Sequence, residues 1–413
     1  MSKKEKAVSI IKRLRDKGFE AYLAGGCVRD YLLGSLPQDY DITTDARPEA
    51  IEKIFTQTVA VGKQFGVILV VIDGEPFEVA TFRQDGPYLD GRRPSHVRFA
   101  SMREDILRRD FTINGMVYDP IEDRVIDLVE GKEDLNRRLV RAIGDPSERF
   151  REDRLRMVRA VRFAASLDFV IEKNTFRAIQ EQASMIDQVS WERIGEETTR
   201  ILTEGGAKKG MELLDESGLL RVLLPEIGAM KGVEQSREFH PEGDVFVHTL
   251  LMLDHLTQPT ETLAYGCLLH DVAKPACIKK EEGRITFYGH TEKGSEMAVE
   301  ILKRLKRSRA VWERVSYMVR NHLRHTQAPK MRLSTLKRFL GEEGIEELLE
   351  LTRIDAQSSN GDLQYYNFCK QKMAELKEEE IHPEPFLRGV DLITMGFSPG
   401  PIFSEIFKKI EEA

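Results

Sequence analysis

The chain has 413 residues, 41% hydrophobic and 32% charged, with a formal net charge of −7. That length allows two to four domains with real cores, and the acidic balance argues against a protein that coats nucleic acid without selection. No apolar run approaches the roughly 20 residues of a membrane span, and the N-terminus lacks a signal-peptide core. The four cysteines are scattered with no CxxC pair, which fits reduced thiols in a cytoplasmic protein without a zinc ribbon.

Up to about residue 140 the hydrophobic period switches between helix and strand. Residues 3–17 have helical spacing. AYLAGG (21–26) reads as a strand ending at glycines, and VRDYLLG (28–34) as a short helix. DYDIT (39–43) alternates as a strand, and PEAIEKIF (48–55) is a helix opened by Pro48. VILVVID (67–73), PFEVATFR (76–83) and HVRFAS (96–101) read as strands, with a turn at Asp73-Gly74. From about 146 to 225 nearly everything reads as helix, beginning with one long stretch, PSERFREDRLRMVRAVRFAASL (146–167). A polar, turn-rich loop, MKGVEQSREFHPEGD (230–244), precedes a second helical block at 244–325, and a third follows at 333–376. Pro383 and Pro385 then break the pattern before the tail. Strands first and helices after predict an α+β chain, with domains at 1–140, 141–225 and 240–376 and a tail at 377–413.

Side chains two apart on a strand share one face, so Asp39 and Asp41 are expected to point the same way while Tyr40 and Ile42 face the core. Two acids on one face repel unless cations lie between them. A pair of divalent ions about 3.5–4 Å apart would satisfy them and hold an attacking hydroxyl and a triphosphate in line. Glu78 is the candidate third carboxylate, on a strand expected beside DYDI. Gly25 and Gly26 let backbone N–H groups approach phosphate, and the helix start that follows favours anions. Arg29 lies one turn in, within reach of a phosphate or sugar. An exposed strand end would account for the two aspartates alone; the glycines and Arg29 just upstream make the combination specific. Two arginine-rich runs (Arg92, Arg93, Arg98, Arg103, Arg108 and Arg109, then Arg137 to Arg162) are candidate RNA tracks or solvated faces.

EDRLRMVRAVRFA (152–164) contains good helix formers and no glycine or proline, so it is expected to be helical throughout. Asp153, Arg156, Arg159 and Arg162 then form a stripe beside Leu155, Val158 and Val161. An amphipathic helix with a solvated arginine face explains that spacing equally well. The chemistry suggests more. Cytosine and adenine both present an amino donor beside a ring-nitrogen acceptor, and guanine and uracil present the reverse. An acceptor-only aspartate beside a donor-only arginine matches the first pair and mismatches the second, each stranded buried group costing about 1–3 kcal/mol.

GGCVRD (25–30) with DYDI, RRDFTIN (108–114), EDRLRMVRAVRF (152–163) and ERIGEE (192–197), in this order, resemble the class II tRNA nucleotidyltransferases. These belong to the polymerase β-like nucleotidyltransferase superfamily, alongside bacterial poly(A) polymerases. The resemblance runs from about residue 20 to 225. It implies a head of mixed sheet and helices followed by an all-α neck and body. The implied activity adds CMP and AMP from CTP and ATP to the tRNA 3′ end, building CCA without a nucleic-acid template. It implies Mg²⁺ at Asp39 and Asp41, nucleotide phosphates at Arg109 with Asp110 as a structural partner, and base selection by Asp153 and Arg156. Arg159 and Arg162 are expected at phosphates or in helix packing. The loop DGPYLDGRRPSHVRF (85–99) matches the family's flexible loop that switches specificity from C to A; it is full length, with Asp90, Arg92 and Arg93 present. Gly115-Met116 after RRDFTIN is similar to enzymes that add only the terminal A, so A-only addition and poly(A) synthesis stay open.

LLHDVAK (268–274), with His248 one helix upstream and Asp355 in RIDAQSSNGD (353–362), resembles the helical HD phosphohydrolase superfamily. The resemblance implies metal ligands at His248, His270, Asp271 and Asp355, with His290 and His322 as candidates for a second ion. Imidazole and carboxylate ligands suit Mn, Ni, Fe or Zn. Hydrolysis of phosphate or cyclic-phosphate ends, or bracing of bound tRNA without chemistry, are the alternatives for this region.

Overall fold

Alternating buried and exposed side chains build the sheet that carries the first site. The computed structural model describes all residues except 87–95, 237–239, 282–283, 377–386 and 413. The chain forms two units, Met1–Gly228 and Ala229–Ala413.

In the first unit β1 (Ala21–Ala24), β2 (Asp41–Thr44), β3 (Thr58–Gly62), β4 (Val67–Ile72) and β5 (Glu75–Thr81) are followed by a small ribbon, β6 (Arg83–Asp85) and β7 (Val97–Phe99), then β8 (Met116–Asp119) and β9 (Arg124–Asp127). Seven of these form one sheet in the order β3-β4-β5-β2-β1-β8-β9. The β2–β5 pair is parallel and its neighbours are antiparallel, which makes the sheet mixed. Asp73 and Gly74 both take positive φ, 48° and 80°, in the two-residue turn joining β4 to β5, the backbone that such hairpins need.

The backbone departs from the sequence pattern in two places. The strand at DYDIT begins only at Asp41, because Ala24–Asp41 is the last pair that β1 offers before Gly25 turns that chain away at φ 74°. Asp39 therefore lies outside the strand, and the shared-face argument does not apply to it. Nor is 146–167 one helix. It is two, Pro146–Glu152 and Leu155–Ser166, separated by Asp153 in an extended conformation (φ −138°, ψ 103°). Asp153 Oδ1 accepts the Leu155 N–H at 3.1 Å, the local bond that favours aspartate at helix starts over helix interiors. The helix after the break is buried along most of its length, from Leu155 through Ala165, and stands at the centre of its unit rather than on a solvated face.

The second unit is helical. Val245–Asp254 and Glu261–Leu269 are apolar nearly all round and buried, as core helices are. Helices His290–Arg304 and Arg309–Asn321 form an antiparallel pair, and Ile345–Ser358 packs against the core helices. Among the described residues no helix is long and apolar enough to cross a membrane.

Candidate functional site

The first candidate site stands where β1, β2 and β5 present their ends to the helix Gly26–Leu32. Ile42 pairs with Val79 in parallel register, so Asp41 and Glu78, each one residue earlier, share the opposite face. Both are exposed while Ile42 and Val79 are buried. Gly25 forms the floor. A Cβ there would stand 3.5 Å from Arg109 Nη1 and 3.7 Å from Asp41 Oδ2, and its φ of 74° is one that L side chains rarely adopt. Arg109 is anchored by Asp105 at 3.0 Å, and its buried Nε has no hydrogen-bond partner among the described residues. Asp39 turns outward, 83% exposed, with its carboxylate 2.6 Å from Lys3 Nζ. Cys27 lies beneath Asp41; burial, and then the Asp41 charge, push its thiol up to about 12, which keeps it a neutral core residue.

Desolvation, reinforced by the charges of Glu78 and Asp39 and opposed by Arg109 and Lys3, pushes Asp41 up to about 6 from an ordinary 3.8. A carboxyl raised in the folded state binds more protons there than in the unfolded chain, so it loses stability as pH rises from its unfolded to its folded value. The Tm advantage of Asp41→Asn over the parent, in metal-free buffer, should be near zero at pH 4. It should grow as pH rises to about 6 and be flat above. Paired thermal scans across pH 4–8 check this.

Behind the floor runs a chain of charge-assisted bonds. Arg29 donates to Asn114 Oδ1 (2.9 Å) and to Asp30 (2.7 Å). Asn114 Nδ2 reaches Asp110 Oδ1 at 3.5 Å, and Asp110 Oδ2 receives Arg159 at 2.7 and 3.0 Å. Arg159 continues to Glu197 (3.3 Å), which receives Arg162 at 2.6 Å, and Arg162 ends on Glu204 at 2.9 Å. Burial raises Asp110, but the Arg159 charge outweighs it and holds the carboxyl below its ordinary value. Arg162, 3% exposed, is thus committed to internal pairing, and of the two sequence readings for it the structure shows helix packing.

Asp153 and Arg156 flank the helix break. Asp153 takes a bidentate pair from Arg193 (3.1 and 2.7 Å) in addition to Leu155 N–H. Arg156, buried, donates to Glu152 and to the carbonyls of Arg149 and Arg108. A carboxylate offers about four acceptor positions and a guanidinium five donors, so each retains capacity for a base edge. Arg193, Asn114 and Glu197 lie inside the motifs RRDFTIN and ERIGEE, but spacing alone gave them no role. Gly115 has a packing reason: a Cβ there would come within 2.8 Å of Ile143 and Val129 side chains. Asp90, Arg92 and Arg93 lie outside the described residues.

The second unit holds a denser cluster at converging helix ends. His248 lies on the helix Val245–Asp254, His270 closes Glu261–Leu269, His290 opens its helix, and His322 closes Arg309–Asn321. His248 Nε2 is 3.1 Å from Asp355 Oδ1, and His270 Nε2 is 3.0 Å from Asp271 Oδ2. His290 and His322 place Nε2 at 3.6 and 3.8 Å from Asp271 Oδ1. The ring Nδ1 of His270, His290 and His322 each faces a carbonyl three residues back, at 3.0, 2.7 and 2.7 Å. That contact directs Nε2 inward as a ligand atom. Buried and without a well-aligned hydrogen bond are both ring nitrogens of His248, Nε2 of His270 and His290, and Oδ1 of Asp271, although His248 Nδ1 and Nε2 and His270 Nε2 lie close to carboxylates. Burial raises Asp271, but the His270 and Lys274 charges outweigh it and hold it well below its ordinary value; burial pushes His322 down to about 3. Orphaned imidazole and carboxylate atoms in one buried pocket fit divalent metal ions. The ligand atoms of His248, His270 and Asp271, and those of Asp271, His290 and His322, each lie within 4.8 Å of one another. Asp39, Asp41 and Glu78 are not gathered that tightly.

Residues 21–141 match the family described as the poly A polymerase head domain, residues 168–230 the probable RNA and SrmB-binding site of polymerase A, and residues 244–359 the HD domain. The CCA-adding enzyme of Ligilactobacillus salivarius is 44% identical over 213 residues, 51% of this chain and 52% of that protein. That of Bacillus licheniformis is 43% identical over 235 residues, 57% and 59% of the two chains. The matched stretch thus spans little more than half the length of these curated relatives. A crystal structure of the Bacillus stearothermophilus CCA-adding enzyme in complex with CTP superposes with a TM-score of 0.75 at 27% identity, covering 99% of this chain and 92% of that one. A tRNA nucleotidyltransferase with a primer tRNA and an ATP analogue shares the fold at a TM-score of 0.60 and 20% identity, covering 89% and 98%.

Proposed function

We propose that the chain, whose segments match the poly A polymerase head domain, the RNA-binding region of polymerase A and the HD domain, is a tRNA nucleotidyltransferase that builds or repairs the CCA end of tRNA in the cytoplasm. CTP and ATP donate the nucleotides, and pyrophosphate leaves. The observation that carries the reading is the meeting of Asp41 and Arg109 over the Gly25 floor, with Glu78 on the same sheet face as Asp41. Divalent ions, Mg²⁺ in this reading, would be held by Asp39 and Asp41 and would lower the pKa of the tRNA 3′-hydroxyl and neutralise triphosphate charge. The chain's own residues do the rest. Arg109 and the backbone N–H groups after Gly25 hold the phosphates and stabilise charge that develops on their oxygens. Arg29, fixed by Asn114 and Asp30, reaches the sugar or a phosphate. Asp153 and Arg156 read the Watson–Crick edge, with Arg193 holding the Asp153 carboxylate in place.

Transcripts ending at the discriminator base, after the first C and after the second C, incubated with each nucleotide separately, test this reading. The expected result is C, C and A in turn, with GTP and UTP refused. Addition to the last substrate alone would mean an A-only enzyme, and untemplated A on every end a poly(A) polymerase. The similarity of about half the chain to the CCA-adding enzyme of Ligilactobacillus salivarius, and of nearly the whole fold to that of Bacillus stearothermophilus, supports the full reaction. Arg193→Ala should lower the preference for CTP and ATP over UTP and GTP by about tenfold, the worth of one poorly placed buried hydrogen bond; ratios of kcat/KM measure it.

The buried four-histidine cluster favours a second reading for the HD domain, as a site for one or two divalent transition-metal ions at His248, His270, Asp271 and Asp355, joined by His290 and His322.

A further inference from the structure

His248 differs from the three other histidines of its cluster. Their Nδ1 atoms face backbone carbonyls three residues earlier. His248 sits on a helix whose earlier carbonyls are already engaged, and Val245 O receives the Thr249 hydroxyl. Its Nδ1 instead lies 2.8 Å from Glu242 Oε1, a carboxylate whose side chain is only 7% exposed. Glu242 comes from the polar loop before that helix and carries no motif. It is firmly placed. The same oxygen receives His240 Nδ1 at 3.2 Å and Gln235 Nε2 at 3.3 Å. Gln235 Oε1 in turn receives Lys274 Nζ at 2.8 Å, and that ammonium lies 2.6 Å from Asp271 Oδ2. One hydrogen-bonded path therefore runs from the His248 side of the cluster to its central aspartate.

We propose that Glu242 is a positioning residue for the metal site: it receives the Nδ1–H of His248 and so presents His248 Nε2, beside Asp355, to a divalent cation. A carboxylate on the far nitrogen fixes the tautomer and ring orientation and makes the ligating nitrogen more basic, and loss of such a partner weakens metal binding about 10–100-fold. Backbone carbonyls orient the other three rings but carry no charge, so His248 is the ligand whose donor strength depends on a side chain. The inference rests on the reading of the cluster as a metal site.

Mn²⁺ titration of the full-length protein, with free ion followed by electron paramagnetic resonance, tests it. Every arm carries Asp39→Ala and Asp41→Ala so that the head takes up no ion. Glu242→Ala is expected to weaken binding about 10–100-fold, and Glu242→Gln, which keeps an acceptor oxygen, to lie between it and the parent. Adding Glu242→Ala to His248→Ala should cost nothing further, because the first residue acts through the second. Should Glu242→Ala fold poorly by circular dichroism, Glu242→Gln carries the comparison. Unchanged affinity in the Glu242 variants, or a double variant in which the two losses multiply, overturns the role of Glu242. A parent that binds no Mn²⁺ overturns the metal reading itself, and this inference with it.

Discussion

Asp41→Ala is expected to slow nucleotide addition to tRNA at least about a thousandfold, equivalent to about 4 kcal/mol of lost transition-state stabilisation. Asp41 starts β2 beside the Gly25 floor, shares its sheet face with Glu78, and faces Arg109. No neighbouring carboxylate can replace it there. Asp39 points outward to Lys3, and Glu78 lies on the next strand. The same substitution should not destabilise the fold at neutral pH, because it removes a carboxylate whose charge is opposed by desolvation and by two other acids. Loss of rate with retained or higher Tm marks a residue kept for function at the expense of stability. Single-turnover extension at saturating Mg²⁺, alongside thermal scans, measures both. A variant that is both active and less stable would place Asp41 in the framework instead. Binding of tRNA should survive, since phosphate contacts elsewhere are untouched.

The second large effect concerns stability. Glu197 is 5% exposed and joins Arg159 to Arg162, itself 3% exposed. Glu197→Ala leaves two guanidinium groups short of a partner in the middle of the first unit. Removing one member of a buried ion pair costs about 3–5 kcal/mol, and Glu204 and Asp110 retain part of the pairing, so about 3 kcal/mol is expected. For a unit of this size that is a fall of about 6–12 °C in its transition. Glu197→Gln, still an acceptor, should lose less. Calorimetry of the three proteins checks the order; a shift of about 1 °C or less for the alanine variant would mean that the network is slack. Of the arginines that read as an RNA track, Arg156, Arg159 and Arg162 are engaged in internal pairs.

What the sequence revealed depended on how local the determining physics was. Strands β1, β4 and β5, the glycine pair and the Asp73-Gly74 turn follow from period-two patterning and backbone sterics and stand where those rules put them, whereas β3, β8 and β9 were not read from the sequence. The resemblance to HD proteins also singled out His248, His270, Asp271 and Asp355, side chains that the fold brings into contact. The break at Asp153 was not. Its helix propensity window is favourable, and the partner that holds it extended, Arg193, lies 40 residues further along the chain. Asp39 left the strand for another non-local reason, the loss of its pairing partner at Gly25. Asn114, Glu197 and Glu242 have roles set wholly by tertiary neighbours, and residue type and spacing say nothing about which arginine or histidine an acid will meet.

In the proposed reaction Asp39 and Asp41 hold divalent ions beside a glycine-floored triphosphate pocket. A crystal structure with Mg²⁺ and a non-hydrolysable CTP analogue tests it most directly. The expected density shows an ion bonded to both aspartates, the triphosphate over Gly25 and Gly26, and Asp39 drawn away from Lys3. Density for the nucleotide with no ion at Asp41, or with Asp39 still seated on Lys3 and the triphosphate elsewhere, would contradict it.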